Sequence, residues 1–106
     1  ADELLGDLTT IIAKIKTANA DASIILSTVP PFNFQEAREE TWRRVNHEIL
    51  TNPPAGVDRV FDIASLLSLP APDDHRIRPE YMSGQDDPHP NGIAGKTVAD
   101  AFLNWY

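Results

Sequence analysis

The apolar residues Leu4, Leu5, Leu8, Ile11, Ile12 and Ile15 recur at i, i+1, i+4, i+7, i+8 and i+11, one stripe of a 3.6-residue period. Asp2, Glu3 and Asp7 sit at the front of this segment, and Lys14 and Lys16 near its end. That placement complements the helix dipole. The pattern predicts a helix over Asp2–Ala18, with Asn19 as its stop, and the stripe reads as core packing. Ser23–Val29 changes the period. It is a largely apolar, β-branched run without alternation, as expected of a strand buried on both faces of a parallel sheet. Pro30-Pro31 ends it, because proline cannot donate to a ladder.

The next helix is predicted over Phe34–Leu50, opened by an Asn33/Glu36 capping box and buried through Trp42, Val45 and Ile49. Glu39–Arg43 and Glu40–Arg44 stand at i, i+4 on its solvated face. His47 on the same helix has no carboxylate or cysteine at metal-ligand spacing. After a turn at Asn52–Gly56, Val57–Ile63 predicts a second strand. Strand, helix and strand within about 40 residues form a right-handed βαβ unit with a parallel pair. A short helix over Ala64–Leu69 follows. Pro70–Gly84 then reads as a long ordered loop in which His75 is solvent-exposed. The last helix is predicted over Pro90–Asn104, since proline at the first helical position has a preset φ and no N–H to leave unpaired. Its inner face holds Ile93, Ala94, Thr97, Val98, Ala101, Phe102 and Trp105.

Composition narrows the function classes. The net charge of −7, from 16 acidic and 9 basic residues, argues against nucleic acid or an anionic membrane surface as partner. With no cysteine there is no disulfide, thiolate metal site or cysteine nucleophile, and the compartment stays open. No apolar run approaches the ~20 residues of a bilayer span. The three histidines show no His-x-His or His-Glu-x-x-His spacing, so no metal site is expected. No cofactor is called for.

The chemistry concentrates in Gly84-Gln85-Asp86-Asp87-Pro88-His89-Pro90-Asn91-Gly92-Ile93-Ala94-Gly95. Asp86 and His89 lie on the turn feeding the last helix. A carboxylate that accepts from one imidazole nitrogen fixes the tautomer and leaves the other nitrogen free to take a proton. Upstream, the Pro30–Phe34 loop follows a parallel strand, and ligands of open α/β sheets bind outside the carboxyl ends of the strands. Phe32 and Phe34 there either line a substrate pocket or staple the following helix.

Asp86-Asp87-Pro88-His89-Pro90-Asn91, with Gly95 beyond, resembles the C-terminal Asp-x-x-His-Pro motif of the SGNH (GDSL-like) hydrolases, an esterase and lipase superfamily. Ile24–Pro31 is similar to the penultimate core strand of that family and Val57–Asp62 to its last. The resemblance runs over essentially the whole chain, but matches only the C-terminal half of such an enzyme. It implies the C-terminal part of a three-layer α/β/α, flavodoxin-like domain with parallel strands, spanning residues 1–106. It implies ester hydrolysis with His89 as general base and Asp86 as its orienter; Asp87, two residues from His89, departs from the motif's spacing. The Gly-Asp-Ser and Gly-x-Asn-Asp motifs of the family do not occur here. The nucleophilic serine and most oxyanion donors are therefore expected from an N-terminal chain or segment that also completes the sheet, with a small ester as substrate. The alternative is a non-catalytic interaction domain that retains the fold.

Overall fold

The first helix forms where the 3.6-residue stripe places it, α1 at Asp2–Ala18, and Asn19 closes it by donating its N–H to Ile15 O at 2.9 Å. A computed structural model describes all residues, 1–106. The first strand, β1 (Ile25–Ser27), leads to α2 (Glu36–Thr51) and then β2 (Arg59–Phe61). β1 and β2 pair in parallel, Ile25 opposite Arg59, Leu26 opposite Val60 and Ser27 opposite Phe61. The expected βαβ unit is thus present, with strands of three residues each rather than the longer Ser23–Val29 and Val57–Ile63. The shortening at β2 has a local cause. Asp62 leaves the ladder to cap α3 (Ile63–Leu67), accepting from Ser65 N at 3.3 Å, so the short helix begins one residue before the predicted Ala64.

α2 also starts later than predicted. Asn33 does not form a capping box with Glu36; its side-chain oxygen accepts from Ile77 N at 3.0 Å, and Gln35 occupies the cap position. Of the two expected ion pairs on this helix, Glu39–Arg43 forms at 3.1 Å. Arg44 turns instead to Asp2 at 2.6 Å, joining α2 to the start of α1.

Pro70–Gly84, expected as a loop, is partly regular. Ser68 and Ile77 form an isolated bridge, and Pro79–Tyr81 makes a 3₁₀ turn. Met82–Gly84 (β3) then pairs antiparallel with Asp87–Pro90 (β4). The prediction that Pro90 opens the last helix is corrected here. Pro90 belongs to β4, and α4 spans Gly92–Trp105 behind an Asn91 cap. Proline at both Pro88 and Pro90 is compatible with β4 because this strand has a free edge, where a missing donor costs little.

One core cluster joins Leu67, Ile77 and Ala94, with Ile63, Leu66, Tyr81, Met82 and Val98 packed around it. It holds the β3–β4 hairpin against α4. On one face of the parallel pair, Phe61 meets Phe102 and Trp105 at centroid distances of 5.3 and 5.0 Å. Arg59 lies 3.7 Å over the Trp105 ring.

α1 is held less tightly. Ile12 is its one buried residue, beside Gly56, whose φ of +95° and close approach leave no room for a Cβ. Leu4, Ile11 and Ile15 remain exposed. Only 13 of 106 residues are buried, and the Cα radius of gyration is 14.8 Å. A compact chain of this length has a radius near about 13 Å. The molecule is therefore a flattened α/β unit, 44 × 32 × 20 Å, with apolar surface left open.

Candidate functional site

The ends of the two parallel strands are tied by side chains that the sequence placed there without revealing their role. Thr28, directly after β1, donates its hydroxyl to Asp62 Oδ1 at 2.8 Å and accepts from Ala64 N at 3.0 Å. One residue on, Val29 is gripped from α2. Its N–H donates to Asn46 Oδ1 at 2.8 Å, while its carbonyl accepts from Asn46 Nδ2 at 2.9 Å and from Trp42 Nε1 at 2.8 Å. Asn46 and Trp42 are both buried, so this backbone clamp is shielded from water. Leaving any of these groups unpaired would cost about 1–3 kcal/mol. The clamp fixes where the Pro30–Phe34 loop begins.

That loop carries strained backbone. Asn33 and Glu36 both have positive φ, +53° and +52°. Asn tolerates this region, whereas Glu does not do so readily, at a cost of about 1 kcal/mol or more. The two turns present Phe32 and Phe34 side by side, centroids 6.1 Å apart, and Phe34 in turn sits 6.1 Å from Trp42.

The β3–β4 hairpin brings His89 to Phe32. The rings meet edge to face with centroids 4.8 Å apart, although the residues are far apart in sequence. The pairing of Met82 with Pro90 and of Gly84 with Asp87 leaves one extra residue in β4, a bulge within which His89 lies. Asn91 anchors the end of this strand. Its amide donates to Glu80 O at 3.0 Å and Met82 O at 2.9 Å, its oxygen accepts from Ala94 N at 2.9 Å, and its backbone N–H donates to Tyr81 O at 2.9 Å.

The carboxylate on His89 is that of Asp87, not Asp86. Asp87 Oδ1 lies 2.5 Å from Nδ1 and also accepts the His89 backbone N–H at 3.1 Å. The His89 ring and then the His89 N–H hold the Asp87 carboxyl below the usual carboxylate range. Asp86 is exposed and makes no hydrogen bond through its side chain. The expected Asp86–His89 contact is absent; the bulged strand sets Asp87, itself exposed, on the ring instead. The His89 side chain is 70% exposed, and its Nε2 bonds to nothing in the chain. The one hydroxyl on this residue, that of Ser83, donates to the His89 carbonyl at 2.8 Å and not to the ring. His89 lines none of the main surface grooves.

A second histidine was misread from sequence. His75, expected to be exposed, is largely covered, with Nε2 3.3 Å from Glu39 and Nδ1 3.3 Å from Arg43. Arg43 also reaches Asp74 at 2.9 Å and the Pro72 carbonyl at 3.1 Å. This network fastens the Pro70–Gly84 segment to α2. The i, i+4 position of Arg43 hinted at its first partner only; the others come from a distant loop. His47 is exposed on α2, as its lack of partners suggested. No three His, Cys, Asp or Glu side chains converge as metal ligands. No helix is long and apolar enough to cross a membrane. No family model matches the sequence, and no curated protein matches it.

Proposed function

We propose that the chain is the C-terminal part of an SGNH-type serine esterase, in which His89 is the general base and the neighbouring carboxylate its positioning residue. The observation that carries this reading is the His89 pair itself: Nδ1 on a carboxylate oxygen, Nε2 unengaged, and the ring against the Phe32 loop that follows a parallel strand. A neutral serine hydroxyl is a weak nucleophile, and an imidazole must take its proton as it attacks the ester carbonyl. Nε2 is the nitrogen available for that proton. His89 then returns the proton to the departing alcohol oxygen, leaving the acyl group on serine. Water activated by the same nitrogen releases the acid. The carboxylate on Nδ1 stabilises the imidazolium formed in each half.

The open surface supports a completing segment. β1 and β2 form an isolated two-stranded parallel pair, and purely parallel sheets are ordinarily covered on both faces. Ile11 and Ile15 on α1 are exposed, as are Ile93 and Leu103 on α4. On this reading, an N-terminal segment or chain adds strands beside β1, completes a three-layer α/β/α domain, and supplies the serine and the oxyanion donors.

The test is purification of the protein from its native source, followed by intact-mass measurement, fluorophosphonate labelling and assay with p-nitrophenyl acetate. A fluorophosphonate-labelled serine on an associated or continuous polypeptide, with hydrolysis lost in His89→Ala, is the expected result. Folded native material that neither labels nor hydrolyses the ester, or a His89→Ala variant with unchanged turnover, overturns the proposal.

A further inference from the structure

The aromatic contacts continue past the histidine into a groove. His89 touches Phe32, Phe32 neighbours Phe34, and Phe34 neighbours Trp42, each step a ring-to-ring distance of 4.8 to 6.1 Å. Phe34 and Trp42 are walls of an apolar groove of about 300 Å³ between the start of α1 and the first turns of α2. Leu4, Val29, Ala37 and Val45 are its other apolar lining residues, and the exposed Arg38 and Thr41 are its polar ones. That volume lies at the lower end of the range of about 300–1,000 Å³ usual for small-molecule sites.

Two independent features mark the groove as built rather than left over. Trp42 is fixed by its indole N–H on the Val29 carbonyl, and Asn46 holds the same peptide from both sides, so the wall cannot easily collapse. The loop that delivers Phe32 and Phe34 carries positive φ at Asn33 and at Glu36, strain of the kind that persists where a conformation is used.

We infer that this groove is an acyl-binding site, and that the substrate is an ester whose acyl group is an unbranched apolar chain longer than butyryl. The inference rests on the esterase reading, because His89 marks the end at which the ester carbonyl would lie. The acyl chain leaves the carbonyl beside His89, passes the faces of Phe32 and Phe34, and ends against Trp42, Val45 and Leu4. The lining offers it no buried hydrogen-bond donor, since the Trp42 N–H is already engaged. A short acetyl group would leave these walls unused.

The experiment has two arms on the protein as isolated. In the first, kcat/KM is compared for p-nitrophenyl acetate, butyrate and octanoate. Each buried methylene is worth about three- to fourfold, so octanoate should exceed butyrate by at least about tenfold. Ala37→Trp, which fills the groove from an exposed helical position, should bring that ratio close to one; Thr41→Trp serves as a second filler, with circular dichroism confirming the fold. In the second arm, sodium octanoate is titrated against ¹⁵N-labelled protein. Shifts confined to Leu4, Phe34, Ala37 and Trp42, and abolished by Ala37→Trp, are expected.

Ester hydrolysis with no chain-length preference, or a preference that survives both filling variants, overturns the acyl site while leaving the esterase reading intact. Octanoate shifts at the groove without hydrolysis of any ester would uphold the apolar-chain site and defeat the esterase reading. Absence of shifts at these residues, with the groove instead protected by another polypeptide segment, overturns the inference.

Discussion

Asp87 grips His89 twice through one oxygen, accepting from the ring nitrogen Nδ1 at 2.5 Å and from the backbone N–H at 3.1 Å. The second bond locks the carboxylate in place independently of the imidazole's protonation state. The pair is therefore a doubly bonded two-residue unit on the bulged strand, while the motif's own candidate, Asp86, stands beside it unattached.

This geometry separates the two aspartates by experiment. On the proposed esterase reading, Asp87→Asn in the completed protein should lower ester hydrolysis by about 10²-fold or more, because an amide in place of the carboxylate no longer stabilises the imidazolium. Asp86→Asn should change kcat/KM by less than about threefold, and the reverse ranking would show that assembly with the serine-bearing segment re-pairs His89 with Asp86. Since His89 and Asp87 act together, the double variant should lose no more than His89→Ala alone.

Asn91 holds the strand that carries this pair. Asn91→Ala removes the cap of α4 and frees two carbonyls, Glu80 O and Met82 O. A stability loss of about 2–3 kcal/mol is expected in urea unfolding, with amide exchange at Ser83 and His89 accelerated more than at β1. Uniform loss across the chain would mean that Asn91 acts on global stability alone.

The turn at Asn33 tests the strain in the aromatic loop. Asn33→Ala loses the bond to Ile77 N and puts at φ +53° a residue that tolerates it less well than asparagine, and should cost about 2–3 kcal/mol. Asn33→Gly loses the bond but relieves the φ, and should cost about 1 kcal/mol less than the alanine variant. Equal losses would assign the whole effect to the hydrogen bond.

Acid stability should depend on Asp58. Its carboxylate accepts from Ile24 N at 2.7 Å and pairs with Lys16 at 3.3 Å, and these lower its pKa, the backbone bond most. A carboxyl depressed in the folded state stabilises above its unfolded pKa and loses that contribution as pH falls through the lower folded value. The urea midpoint should therefore hold from neutral pH to about pH 4 and decline below it. In Asp58→Asn the midpoint should start lower at neutral pH and fall less steeply on acidification. A variant with the wild-type pH profile would remove Asp58 from the acid transition.

The helices and the parallel pairing were determined by the sequence because both rest on local periodicity. The stripe Leu4 to Ile15 specifies α1 over Asp2–Ala18, and the apolar run at Ile24–Val29 followed by a crossover helix specifies β1 parallel to β2. His89 was also visible as the candidate base, because the motif is a property of the chain alone, but the carboxylate it implied was Asp86 and the one on the ring is Asp87. What the chain alone could not decide was which neighbour reaches which side chain. Pro90 has the φ that suits a helix start and equally suits an edge strand; packing of Met82 and Tyr81 over Ile77, Leu67 and Ala94 selects the hairpin. The bulge in that hairpin then turns Asp87 rather than Asp86 onto the ring, a rotation of one residue that no local preference distinguishes. His75, Asn46 and Asn33 follow the same rule. Each finds its partners more than ten residues away, and a bond between distant groups exists only once the fold has closed the loop between them.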